Sequence, residues 1–507
     1  MASFFRKKMA EAEPEPAAII QSVDADAGLP PLDEEQPYLT LSVAACGAGL
    51  FSDGYINNVI GSVTTVLTKE YGDTWSNSRA ASVVSAIVFA GTVVGQLGFG
   101  YLADRWSRTN SLLISTVILF VFTALAAGSY YHGEPIGMFN MLAAWRFFVG
   151  IGIGGEYPAG SVGCAESTGE VRSGWRHFMF IMFTNSIIDV GFVIGAFVPY
   201  VVAAACHNGH LSTQWRTSLG IGCVFPLVLF VMRLFVREPE EFQRNSMRHA
   251  RTPYWLVLKF YGPRLVVVSL IWFIYDFLTY AFGIYSSTIL ANIFPKDAPL
   301  TTVFGWNVVI NLFYLPGSFL GAKASDWFGP RYCLIIGVTL QAIVGFAMAG
   351  DYKHLSQPHM VGAFATVYGI FLSLGEFGPG NNIGLLAAKT CSTGIRGQYY
   401  GIAAAIGKIG AFVGTYVYPY IEKAGGKDTA ASAQYPFYVS SSLCVLSALL
   451  AFFLLPNVGQ DTIQYEDARF RRYLEDNGWD TRQLGLRKGE SIEHVENSSG
   501  SPELGKA

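Results

Sequence analysis

The chain has 507 residues, of which 51% are hydrophobic and only 14% charged, with a formal net charge of −3. Soluble globular chains carry about 25% charged residues, and the deficit here is concentrated in long apolar runs, so the composition implies an all-α polytopic membrane protein. The net charge is uninformative about partners, because the placement of Lys and Arg between spans matters far more.

Taken in order, residues 1–36 read as an acidic, disordered leader, and MASFFRKKMAEAEPEPAA does not resemble a cleaved signal peptide. The hydrophobic pattern then predicts twelve spans, at 38–67, 79–103, 109–131, 137–165, 176–205, 215–236, 264–293, 301–325, 331–351, 358–389, 398–423 and 434–456. A basic link at 237–263, with Arg237, Arg244, Arg248, Arg251 and Lys259 and followed by Arg264, divides them into bundles at 37–236 and 264–456. A polar tail at 457–507 carries one expected short helix around Tyr465–Glu475. The even-to-odd loops carry Arg105, Arg108, Arg172, Arg176, Lys323, Arg331 and Arg396, whereas the opposite loops are mixed (Lys69/Glu70/Asp73, Lys296/Asp297, Lys423/Lys427/Asp428). The positive-inside rule therefore expects both termini in the cytoplasm, where the Asn497 sequon would go unused. Most of the seven cysteines fall in apolar segments, and no CxxC or His/Cys spacing supports a disulfide framework or a metal site.

The loop after the second span, GYLADRWSR (Gly100, Asp104, Arg105, Arg108), is echoed after the eighth by GAKASDWFGPR (Asp326, Arg331). In both, a glycine permits close helix approach while Asp and Arg can cap helix ends or pair across an interface. The same loop at the same place in each half indicates a repeated transporter.

Ionisable residues inside the spans cost roughly 2.5–3.5 kcal/mol each on insertion scales and so face a cavity or a partner. They are Asp53, Arg146, Glu156, Asp189, Asp276, Glu376 and Lys408, mixed in sign and spread over both halves. Channels use rings of like charge; a mixed set suits a central site between two bundles. In RFFVGIGIGGEYPAGSVGCAE, Arg146 and Glu156 are ten residues apart, about 15 Å along a helix, and read as sharing one face. A structural Arg–Glu tether is the bland alternative. Gly150, Gly152 and Gly155 mimic a dinucleotide loop, but no strand–turn–helix context surrounds them. Trp272, Asp276 and Tyr280 form one helical stripe, Lys408 stands alone among glycines and alanines, and Gly378-Pro379-Gly380 should break its helix beside Asn381 and Asn382. Asp53 reads as a proton carrier, or as a partner of Asn57 or Asn58.

The paired loops resemble the signature of the major facilitator superfamily. Over nearly all twelve spans the chain is similar to its phosphate:proton symporter family, through the GxGxGGEYP block with Arg146 ten residues before the acid, the Trp-x3-Asp-x3-Tyr stripe and the GK containing Lys408. The GGEYPAGS and GEFGPGNNIG blocks look more like the fungal glycerophosphodiester permeases, which take up glycerophosphoinositol or glycerophosphocholine. This resemblance implies the major facilitator fold, with Arg146 and Lys408 as basic groups of the transport path and Lys408 near the bound phosphate. Tyr157, Trp272, Asp276 and Tyr280 would line the site, and Asp53 and Glu156 would carry protons. The chain departs from the orthophosphate carriers, which have Asp where it has Glu156 and Asn where it has Gly380. It also offers Thr184, Asn185 and Ser186 where they have Gln. A larger substrate fits the loss of the amide at Gly380, with Asn185, Asn381 and Asn382 free to meet hydroxyls.

The expectation is a monomeric plasma-membrane symporter, set in membrane lipid, that couples a phosphate-containing anion to protons by alternating access of its bundles and needs no cofactor. An orthophosphate symporter is the nearest alternative, and a non-transporting nutrient sensor of the same fold a more distant one. An enzyme is disfavoured, because no nucleophile–base set or metal cluster appears.

Overall fold

The computed structural model describes residues 39–485 apart from 77, 169–173, 237, 239, 296–297 and 427–428. The leader, Arg172, Arg237, Lys296/Asp297, Lys427/Asp428 and the Ser/Gly-rich end of the tail lie outside the described residues.

Among the described residues, twelve helices cross the molecule. The first, α1, runs through Leu39–Gly47, a 3-10 turn at Ala48–Leu50, and Phe51–Tyr71. Eleven more are long and apolar enough to span a membrane. They are α2 (Ala80–Arg105), α3 (Arg108–Ala127), α4 (Pro135–Ser167), α5 (Arg176–Ala205), α6 (Leu211–Arg233), α7 (Tyr254–Ile293), α8 (Leu300–Phe328), α9 (Pro330–Gly350), α10 (Pro358–Lys389), α11 (Thr393–Ala424) and α12 (Ser432–Leu454). A shorter helix, α13 (Thr462–Asp476), comes after them in the tail. The helices α1–α6 pack into one bundle and α7–α12 into the other, and the bundles meet where α2 packs on α11, α5 on α8 and α1 on α7.

The helix edges depart from the sequence reading mainly at α7, which begins at Tyr254 and absorbs the end of the expected link. Pro263 lies inside this helix rather than before it. A proline deletes one backbone hydrogen bond, a loss a long helix packed on neighbours survives.

Small residues set how close the helices come. A β-carbon on Gly154 of α4 would stand 2.7 Å from the Gln96 nitrogen on α2. At the bundle interface, one on Gly100 of α2 would stand 2.8 Å from the Gly397 carbonyl on α11. Both seams therefore require hydrogen at these positions, and backbone-to-backbone packing replaces the hydrophobic drive that helices lack within lipid.

Two helices carry a matched irregularity. A π-helical turn covers Glu156–Ser161 in α4, and another covers Glu376–Gly380 in α10. These are the fourth helices of their bundles, and both turns open on a buried glutamate succeeded by an aromatic residue (GEYPAG, GEFGPG). A π-turn inserts one residue and rotates the remainder of its helix, and such turns concentrate at functional sites.

Replacing Gly154 with Val should force α2 and α4 apart and destabilise the protein by about 1–3 kcal/mol. A lower melting temperature of the detergent-purified protein checks this; an unchanged one would mean that the seam is looser than its close contacts imply.

Candidate functional site

Lys408, on α11, is buried to 1% exposure where the two bundles meet. Its ammonium lies 3.4 Å from Asp276 Oδ2 on α7 and 3.7 Å from Asp53 Oδ2 on α1, and it hydrogen-bonds the Tyr280 hydroxyl. It also sits 3.8 Å from the centre of the Tyr280 ring and 4.9 Å from that of Tyr157, so π faces help to hold the charge. Asp53 in turn accepts hydrogen bonds from Tyr157, from Tyr280 at 2.9 Å and from Asn57 at 2.5 Å. The i, i+4, i+8 stripe of α7 brings Trp272, Asp276 and Tyr280 to the same place.

This knot opens on a central cavity of about 50 Å³, lined by residues of both bundles, among them Tyr157, Asn185, Trp272, Asp276, Glu376 and Lys408. That volume admits a few water molecules; a larger solute needs the bundles to part. Across the cavity from Lys408, Glu376 accepts from the Tyr275 hydroxyl at 2.8 Å and from Asn185 at 2.9 Å. Asn185 also bonds Asn381 Oδ1 at 3.0 Å, and it approaches Asp189 at 3.5 Å.

Of the residues singled out in the sequence, Tyr157, Asn185, Trp272, Asp276, Tyr280, Asn381 and Lys408 line this cavity, and Asp53 stands behind its tyrosines. Two others are elsewhere. Arg146 bonds the carbonyls of Val84 at 2.7 Å and Ile56 at 3.5 Å, fastening α4 to α2 and α1, and it is absent from the cavity wall. Glu156 forms a fully buried pair with Arg233 of α6 at 2.5 Å and accepts from Ser115 of α3 at 2.7 Å. The shared face expected for Arg146 and Glu156 does not exist, because ten residues at about 100° each fall about 80° short of three turns. The π-turn that starts at Glu156 then turns the acid toward α3 and α6. Arg233 was missed in the sequence because it sits at the end of its span, where an arginine reads as a snorkelling flank. The amides also differ from expectation: Asn382 is tied to Gly378 and Ser325, both at 2.7 Å, and Asn381 is spent on Ser318 and Asn185.

The paired loops occupy one end of the molecule. Asp104 accepts from the backbone nitrogens of Gly397 at 2.9 Å and Gln398 at 2.7 Å, and it pairs with Arg108 at 2.7 Å. Glu166 bridges Arg108 at 3.0 Å and Arg396 at 3.1 Å, so a chain of buried charges crosses between the bundles. Arg105 reaches the link instead, bonding Ala250 O at 2.8 Å and Met247 O at 3.1 Å. In the second loop, Asp326 accepts from Gln460 at 2.9 Å, while Arg331 bonds Phe452 O at 2.5 Å and Asn457 at 3.2 Å. Its partners come from the end of α12 and the segment after it, and helix α13 reinforces this end through Asp467, which takes the Thr393 nitrogen at 2.6 Å.

A helical protein with a charged cavity between two six-helix halves has the architecture of a transporter, and similarity to known proteins agrees. The sugar (and other) transporter family matches residues 40–256 and 239–468. The chain belongs to that family. It is 50% identical over 444 residues to a glycerophosphocholine permease of Candida albicans, covering 87% of this chain and 83% of that one. It is 48% identical over 467 residues to the major glycerophosphoinositol permease of the same organism, covering 91% and 86%. Among solved structures it resembles the proton:xylose symporter of the major facilitator superfamily, with a TM-score of 0.72 over 85% of this chain and 99% of that one, at 18% identity. The fold is therefore that of the major facilitator superfamily, and the protein is a membrane transporter, not an enzyme. Among the described residues no group of three His, Cys, Asp or Glu side chains is placed to hold a metal ion.

Arg233→Met strands a buried carboxylate and should cost about 3–5 kcal/mol, seen as lost yield and a lower melting temperature. The double variant Glu156→Leu/Arg233→Met removes both charges and should regain most of that loss. If it is stable yet has lost proton-driven uptake, Glu156 carries protons after all.

Proposed function

We propose that the protein is a proton-coupled importer of glycerophosphodiesters that works by alternating access in the plasma membrane, with both termini in the cytoplasm. The observation that carries this reading is the position of Lys408, shared between Asp53 of one bundle and Asp276 of the other. A single ammonium there faces several carboxylates, so an anion entering alone would worsen the imbalance. A proton on Asp53 removes one competitor for the ammonium and frees Lys408 to bind a phosphodiester oxygen. The Tyr157 and Tyr280 hydroxyls, now bonded to Asp53, can then turn to the same phosphate. Deprotonation of Asp53 returns Lys408 to its carboxylates and expels the anion, which ties release to proton release.

A phosphodiester suits this site better than orthophosphate. The diester carries one negative charge near neutrality and orthophosphate between one and two, while the lining offers one ammonium. The relatives at about half identity are named for glycerophosphodiesters, which supports the same substrate class. The chain of charges through Asp104, Arg108, Glu166 and Arg396 would hold the cytoplasmic end shut until the bundles rock.

Two substitutions test the scheme in a cell lacking its own uptake systems. Asp53→Asn should reach the membrane but lose accumulation against a gradient, leaving at most equilibrative, pH-independent exchange; unchanged pH-driven accumulation would dismiss Asp53 as the coupling acid. Lys408→Ala should weaken binding of a radiolabelled glycerophosphodiester by roughly thirtyfold or more, the scale of losing a buried charged partner. Normal affinity in that variant, or full inhibition of wild-type uptake by equimolar orthophosphate, would overturn the substrate assignment.

A further inference from the structure

Glu376 and Glu156 occupy matching π-turns in the two halves, yet their charges are handled differently. Glu156 is neutralised by Arg233 at 2.5 Å and does not line the cavity. Glu376, 2% exposed, lines the cavity and has no Lys, Arg or His within 4.0 Å among the described residues. Behind it Asp189, fully buried, shares Asn185 and leaves Oδ1 without a hydrogen-bond partner. The repeat thus leaves one acid uncompensated on a wall that a substrate touches.

What Glu376 lacks is charge, not hydrogen bonds. Each of its oxygens already accepts one bond, from Tyr275 and from Asn185. Asn381, the amide beside it, is fully engaged with Ser318 and Asn185. At this wall a polyol headgroup would meet Glu376 oxygens and Asn185 and Asn381 amides that are already engaged. A quaternary ammonium makes no hydrogen bonds and asks only for negative charge and π faces. Phe180, Trp272 and Tyr275 line the same cavity. On α7 the successive residues Tyr275 and Asp276 turn to the two sides, one toward Glu376 and the other toward Lys408. The cavity therefore carries the Lys408 ammonium and, at Glu376, a carboxylate with no ion-pair partner among the described residues. The built space at Gly380 keeps this arrangement open, since a β-carbon there would stand 2.5 Å from the Tyr275 hydroxyl and against the Glu376 carboxylate.

We propose that the Glu376 side of the cavity is a subsite for a quaternary ammonium headgroup, which makes the preferred substrate a zwitterionic phosphodiester of the glycerophosphocholine kind. This rests on the glycerophosphodiester reading above: the phosphate lies at Lys408 and the trimethylammonium at Glu376. Ser161, whose buried hydroxyl lines the cavity without a partner, is left for a glycerol hydroxyl.

The test measures competition on the full-length protein, as the concentrations of unlabelled glycerophosphocholine and glycerophosphoinositol that displace half of a radiolabelled glycerophosphodiester from purified protein. Wild type should favour the choline diester, and Glu376→Gln, which keeps shape and removes charge, should cut that preference roughly tenfold or more. Tyr275→Phe, which removes a hydrogen bond but not the charge, should leave the preference standing. If Glu376→Gln weakens both diesters equally, or if wild type favours the inositol diester, the headgroup subsite is wrong while the diester reading stands. If neither diester competes and orthophosphate does, the diester reading itself fails. Should Glu376→Gln not yield folded protein, Glu376→Asp, with the charge withdrawn by one methylene, supplies the same ratio and must lower it.

Discussion

A buried ammonium without partners is among the costliest features a membrane protein can hold, and Lys408 dictates much of what surrounds it. Its carboxylates come from α1 and α7, one in each bundle, so satisfying one side chain also fastens the two halves together. The glycines of α11 make this geometry possible. A β-carbon on Gly414 would stand 2.8 Å from the backbone carbonyl carbon of Phe277, which places α11 almost in backbone contact with α7. In the proposed scheme, an anion that competes for Lys408 loosens the same link between bundles.

Away from the cavity the bundles are joined by different chemistry at the loop end. There, backbone nitrogens of α11 donate to Asp104, and Glu166 lies between two guanidinium groups. These bonds are numerous and reciprocal, and Asp104, Arg108, Glu166 and Arg396 each meet an opposite charge. The tail adds a second layer, with Phe470 and Leu474 of α13 buried against the start of α7 and the turn before α11. The C-terminal segment is therefore part of the closed end rather than an appendage. Both signature loops touch the opposite bundle, the first through backbone nitrogens of α11 and the second through His177 of α5, and the second also anchors the segment after α12.

Internal duplication also explains the contrast between Glu156 and Glu376. Two acids stand at matching π-turns, and Arg233 pairs with the first and makes it a packing element. The other stayed on the cavity wall, bonded by a tyrosine and an amide that supply no charge. The acid of one half thus ties α4 to α6, while the acid of the other half lines the cavity.

Twelve spans, the six-and-six division and the shared stripe of Trp272, Asp276 and Tyr280 were legible in the chain because bilayer thickness fixes span length and helical periodicity fixes a stripe. A lone lysine among glycines and alanines announces a partner, since nothing local can compensate it. Which partner a buried charge finds is another matter, because it depends on helices that are distant in sequence. Arg146 and Glu156 looked like a pair on one helix, but backbone carbonyls of α1 and α2 took the first and Arg233 of α6 took the second. Asn381 and Asn382 looked free to bind hydroxyls until packing against α8 used them up. The repeated GE-aromatic motif was visible at both positions, but only the π-turns and their neighbours revealed that one acid is silenced and the other exposed to the cavity. Composition and period determine which residues must be buried; the packing of helices alone decides which buried charges cancel and which remain to act.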